Sequence, residues 1–230
     1  MSTRARVLEA LGEVHDPELD EPITSLRFVT SCEVARDGDV EIVLRLPTPQ
    51  CAPNFAYLMA ADARNVVGRL PGVRRVAVRL EDHYTGEEIN AAVARGEGFT
   101  GAFPGETDDD RLDALRTLFQ RKALVARQAR LCEALLADGA TPEEVTARRV
   151  ADLPDVPDAR RCLELRAALG LRHDHYSAAF VLPGGEPVPA EELGRWLRSA
   201  RLVRTSLDVN GGICRSLLEI RHQLAEEVAP

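Results

Sequence analysis

The chain has 230 residues, of which 45% are apolar and 29% charged, and its formal net charge is −8. Such totals suit a globular chain of one large or two small domains. The acidic balance excludes a broad nucleic-acid-binding face and makes anionic membranes poor partners, and no apolar run is long enough to span a bilayer.

The opening residues run from Met1-Ser2-Thr3-Arg4 straight into a helical pattern, with no apolar signal core, so a cytoplasmic protein is expected. Val7, Leu8, Leu11 and Val14 have helical spacing and predict a helix over Thr3 to Val14. It should stop at His15-Asp16-Pro17, because a residue before proline is pushed out of the helical region. An acidic, proline-bounded loop follows through Pro22. Ser25 to Ala35 and Val40 to Leu46 alternate as strands, with Asp37-Gly38 as the hairpin turn between them. Phe55, Leu58, Met59, Ala63, Val66, Val67 and Leu70 mark a second helix, which Pro71-Gly72 ends. Val73 to Leu80 reads as a third strand. The order helix-strand-strand-helix-strand predicts a compact two-layer α+β domain over residues 1–90.

A linker is expected over 91–110, where glycines precede Thr107-Asp108-Asp109-Asp110. The remainder, 111–230, reads as a mainly α-helical domain. A long helix spans Arg111 to Ala137. Thr141-Pro142-Glu143-Glu144 carries the signature of a helix start, and Asp158 to Leu169 is a further helix. Arg172 to Leu182 and Val203 to Val209 are expected as strands. Between the latter and a last helix, Ile213 to Glu227, stands Asn210-Gly211-Gly212.

The chemistry concentrates at Leu46-Pro47-Thr48-Pro49-Gln50-Cys51-Ala52-Pro53. Prolines stiffen this join between strand and helix, and Cys51 lies close to the helix start. The positive end of a helix dipole favours a thiolate, which serves as nucleophile or metal ligand. Burial acts the other way, so an inert cysteine closing the turn is the alternative. The other cysteines, Cys32, Cys132, Cys162 and Cys214, make no CxxC pair, and reduced thiols are expected. Cys132 and Cys162 lie in helical stripes and Cys32 on a strand, which reads as core. Cys214, after two glycines at a predicted helix start, is the rival to Cys51. His173 and His175 would share one face of a strand, as some metal sites require, or else lie on the surface beside a turn. His15 reads as a helix-terminal residue and His222 as an exposed one. There is no GxGxxG, P-loop or GxSxG, so nucleotide-dependent chemistry and serine hydrolysis have no support.

Residues 3–90 resemble the iron–sulfur cluster assembly domain family that includes the SufT and PaaD-like proteins. The resemblance rests on the opening helix, on Asp16-Pro17-Glu18-Leu19-Asp20, on the hairpin and on Leu46-Pro47-Thr48-Pro49-Gln50-Cys51 before a helix. Pro71-Gly72-Val73 and the valine-rich strand complete it. One departure is Ala52, which separates the cysteine from the proline that usually follows it. The resemblance implies a factor that matures iron–sulfur or other metal-dependent proteins, with Cys51 as the ligand or persulfide-accepting thiol and Asp16 and Glu18 near it. Long versions of this domain look similar to accessory proteins of bacterial multicomponent diiron monooxygenases. The expected cargo is transient iron or an iron–sulfur cluster, the expected partner a client metalloenzyme, and the expected assembly a homodimer. One thiolate cannot hold iron alone, so His83, Asp16 and Glu18 are the candidate co-ligands of Cys51. The simpler reading of His83 is a solvent-facing loop residue. The expectation is therefore an assembly factor and not an enzyme. Two alternatives stand beside it: a metal-free scaffold or chaperone-like binding module, and a thiol-dependent enzyme with Cys51 as nucleophile and His83 as base.

Overall fold

The computed structural model describes residues 3–228, without the side chains of 222 and 224–228. The chain forms two compact units. The first comprises Met1–Arg116 and Asn210–Pro230, the second Thr117–Val209.

In the first unit, α1 (Thr3–Leu11) buries Val7, Ala10 and Leu11. The acidic loop after it closes as a small ladder, β1 (His15–Asp16) against β2 (Glu21–Pro22), antiparallel. β3 (Val29–Val34) pairs antiparallel with β4 (Asp39–Arg45), and β4 pairs parallel with β5 (Arg75–Glu81). The hairpin turns at Gly38, whose φ is +90° and where a Cβ would stand 2.4 Å from the Gly72 carbonyl oxygen, so only glycine fits. α2 (Pro53–Gly68) makes the crossover from β4 to β5. It buries Ala56, Tyr57, Leu58, Met59, Ala60, Ala63 and Val67. With Phe28, Ile42, Leu44, Leu46 and Leu80 these residues form one core. The fold class is α+β, as the pattern of the sequence predicts.

The segment expected as a linker over 91–110 is helical at both ends of its first half. α3 (Gly86–Arg95) buries Ile89, Ala92 and Val93, and α4 (Phe99–Ala102) buries Phe99. Tyr57 meets the Phe99 ring edge-on at 5.5 Å, and its hydroxyl donates to the Glu97 carbonyl at 2.9 Å. Apolar residues at helical spacing outweigh the glycines here. The glycines mark ends: Gly96 (φ +71°) follows α3 and Gly98 precedes α4.

α5 (Asp113–Ala137) leads into the second unit, which also holds α6 (Pro142–Ala147) and α7 (Pro157–Ala168). Thr141 caps α6 through a capping box with Glu144, as expected. The core of this unit includes Leu124, Cys132, Val145, Cys162, Leu165, Phe180 and Trp196. Buried Arg166, which no sequence signal marked, donates to the Ala178 carbonyl at 2.8 Å, the Ala179 carbonyl at 2.5 Å and Gln128 Oε1 at 3.2 Å.

Two expected strands are absent. Over Arg172 to Leu182 the chain makes only isolated bridges at Ala178 and Val181, because Asp174 folds it into a turn by accepting from the Tyr176 amide and the Ser177 hydroxyl. Val203 to Val209 belongs to α8 (Leu193–Val228), one helix that continues through Gly211-Gly212. Ion pairs select helix there. Arg201 and Arg204 both bind Glu133 of α5, and Arg130 binds Asp208 at 2.6 Å. From Asn210 onward α8 belongs to the first unit, not to the second as the expected 111–230 domain would have it. Among the described residues no helix is long and apolar enough to cross a membrane.

Candidate functional site

Cys51 sits where the parallel pair β4/β5 ends. In open α/β sheets the crevice beyond the carboxyl ends of parallel strands is the usual ligand position. The chain leaves β4 at Arg45, turns through Pro47 and Pro49, and enters α2 at Pro53 with Ala52 as N-cap. Cys51 therefore directly precedes the cap of a 16-residue helix. The Thr48 hydroxyl braces the turn: it accepts from the Gln50 amide at 3.2 Å and lies 3.5 Å from Cys51 Sγ. The thiol is half-buried, against the core of the first unit.

The loop after β5 closes on this turn. Asp82, in the left-handed region at φ 58°, swings the chain out of the strand. The Tyr84 amide then donates to the Pro49 carbonyl at 3.1 Å. His83 Nε2 lies 2.7 Å from the Cys51 carbonyl oxygen, while its Nδ1 accepts from the Thr85 amide at 3.3 Å. That pair of partners assigns the proton to Nε2. Burial lowers the His83 pKa, so the imidazole is held neutral at pH 7. His83 thus reaches Cys51 as expected, but through the backbone carbonyl. Both ring nitrogens are occupied, so in this arrangement it holds the turn rather than ligating a metal or drawing a proton from the thiol.

Asp16 is buried at the first position of the acidic motif. Its Oδ1 accepts from the Glu18 and Leu19 amides at 2.8 and 2.9 Å. Burial, with the charges of Glu18 and Glu21, pushes its pKa up to about 6. Part of the acidic motif thereby shapes its own loop.

The end of α8 lies on the same face of the first unit. Asn210 Nδ2 donates to Glu18 Oε1 at 3.1 Å, and Arg215 binds Glu21 at 2.8 Å. Leu218 is buried in the core. Arg221 donates to the Leu46 carbonyl at 2.5 Å and binds Asp82 at 2.6 Å. Cys214, mid-helix and not at a helix start, is half-buried among these contacts. Burial pushes its thiol up to about 11, and the next largest contributions come from Asp16, Cys51 and Glu18. Cys214 therefore lies within electrostatic reach of Cys51, Asp16 and Glu18. The glycine pair hides that Asn210 shares a helix with Arg215 and Arg221, and the partners of these side chains, Glu18, Glu21, Leu46 and Asp82, are remote in the chain.

The remaining candidates lie elsewhere. Cys32, Cys132 and Cys162 are buried, as expected. His173 and His175 are exposed in the Asp174 turn, not paired on a strand. His15 stands in β1, and its Nδ1 lies 2.9 Å from the Glu13 carbonyl oxygen. The side chain of His222 lies outside the described residues. Among the described residues no group of three or more His, Cys, Asp or Glu side chains stands in metal-ligand geometry. Cys51 and Cys214 carry thiols, the ligand type that selects iron–sulfur units.

The sequence model of a family described as iron–sulfur cluster assembly protein matches residues 4–79. An uncharacterized protein of Methanocaldococcus jannaschii is 33% identical over 97 residues, 42% of this chain and 100% of that protein. Iron–sulfur cluster carrier proteins of Mycobacterium tuberculosis and Mycobacterium bovis are 36% identical over 77 residues, which is 34% of this chain. Only 20% of each carrier's length is spanned. The family match covers α1 through most of β5 and so includes Asp16, Glu18 and Cys51. His83 and Cys214 fall outside it.

Proposed function

The chain belongs to the iron–sulfur cluster assembly protein family, and from that premise we propose that it is a non-enzymatic carrier or maturation factor. Its cargo is iron or an iron–sulfur unit, held transiently through the Cys51 thiol and passed to a client metalloenzyme. The observation that carries this reading is the position of Cys51. It lies beyond the parallel strand ends, directly before the α2 cap, on a turn braced by Thr48 and His83. Asp16 and Glu18 make the neighbourhood anionic, which favours a cationic metal and disfavours an anionic substrate. His83 serves as a positioning group. A diiron monooxygenase is the client class to test first, and a pair of chains joined near this turn would bring two Cys51 thiols together.

The test is iron and acid-labile sulfide content of anaerobically purified protein, wild type beside Cys51→Ala. Iron in wild type and its loss in the variant is the expected result, and sulfide alongside marks a cluster rather than mononuclear iron. Metal-free wild type, with client binding that survives the substitution, would replace this reading with that of a scaffold.

A further inference from the structure

The last turns of α8 bring a second thiol to the Cys51 neighbourhood. Asn210, Cys214, Leu218 and Arg221 are spaced i, i+4, i+8 and i+11, so they share one stripe of the helix. Three of the four have fixed partners in the first unit. Asn210 meets Glu18 of the acidic motif, Leu218 is buried in the core, and Arg221 holds the Leu46 carbonyl where the Cys51 turn begins. Cys214 lies between Asn210 and Leu218 and packs, like Cys51, against that core. The nearest cation on its own helix, Arg215, is engaged by Glu21. The Cys51 thiol and the Asp16 and Glu18 carboxylates thus lie within electrostatic reach of Cys214, and the adjacent Arg215 is already paired.

We propose that Cys214 is a second thiol ligand for the cargo held at Cys51. This inference rests on the carrier reading. One thiol comes from the β4–α2 turn and the other from α8, and together they form a half-site for a thiophilic metal ion or iron–sulfur unit. On binding, each thiol releases its proton to solvent as a metal–sulfur bond forms, and no electron moves. Two protein thiolates leave about two positions of a four-coordinate metal open. A recipient protein fills those positions by ligand exchange, which suits a carrier better than a closed four-ligand cage.

The experiment uses the full chain, reduced and anaerobic, titrated with cobalt(II). Thiolate-to-cobalt charge-transfer absorption at saturation scales with the number of thiolates bound. Cys214→Ser should lower the band to half or less, Cys51→Ala should lose most of it, and the double variant should abolish it. A Cys214→Ser band equal to wild type, with loss in Cys51→Ala, overturns the role of Cys214 and leaves the carrier reading standing. No band in wild type, or a full band in Cys51→Ala, overturns both. A second measurement needs no variant: phenylarsine oxide bridges neighbouring thiol pairs. An arsenical adduct joining the Cys51 and Cys214 peptides in the mass spectrum supports the half-site. Adducts confined to single peptides overturn it.

Discussion

Leu218→Ala tests whether the end of α8 is fixed in the first unit. Leu218 is 2% exposed and part of that unit's core. The substitution removes roughly three carbons at ~0.8 kcal/mol each and leaves a cavity, so the expected cost is about 3 kcal/mol, within the usual Leu→Ala range. The loss falls on the docked state of the helix end. At 1.4 kcal/mol per tenfold it raises the undocked fraction about 100-fold. Native-state hydrogen exchange of the α8 amides around Leu218, followed by mass spectrometry, reads that fraction, because these amides exchange when the helix end opens. The control is Ile220→Ala on the outward face. Ile220 is 52% exposed, so the rate should change little. A Leu218→Ala rate within about twofold of wild type would refute the docked helix end and the neighbourhood built on it.

Arg166→Leu strips Gln128 and the Ala178 and Ala179 carbonyls of a buried donor. It should cost roughly 3–5 kcal/mol in urea denaturation followed by circular dichroism, and a loss under about 1 kcal/mol would show that these carbonyls are satisfied without it. Asp16 sets a pH dependence in the metal-free protein. Its folded pKa, about 6, lies above the ordinary 3.8, with Glu18 and Glu21 as the charged groups facing it and the Cys214 thiol as a neutral neighbour. The folded state therefore holds the proton more tightly. This stabilisation is complete below 3.8 and is lost as pH rises through about 6, a change of about 3 kcal/mol at 1.36 kcal/mol per unit. Asp16→Asn keeps an oxygen acceptor for the Glu18 and Leu19 amides and should flatten stability between pH 4 and 7. An unchanged slope in Asp16→Asn would assign the titration to another group.

Where short-range periodicity and turn chemistry agree, this chain is legible from its residues. The alternation in β4, the Asp37-Gly38 turn, the helix after the Cys51 turn and the Thr141 capping box are all local. Each depends on residues a few positions apart, and each appears in the structure where the pattern puts it. The Cys51 turn belongs to the same class, since its position follows from the strand before it and the helix after it.

The tertiary structure decided the rest. The glycines after Arg95 resemble a linker, yet Ile89 and Phe99 find the first core and make α3 and α4 part of it. Val203 to Val209 alternates like a strand, but Glu133 and Arg130 reach it from α5 and hold it helical. Gly211-Gly212 resembles a break, but α8 runs through it. Asn210 meets Glu18, far from it in sequence, and Cys214 lies one turn further along the same stripe. Periodicity reports which face of a helix is buried. It cannot report what buries that face, because the partner is chosen by the packing and charge of residues remote in the chain.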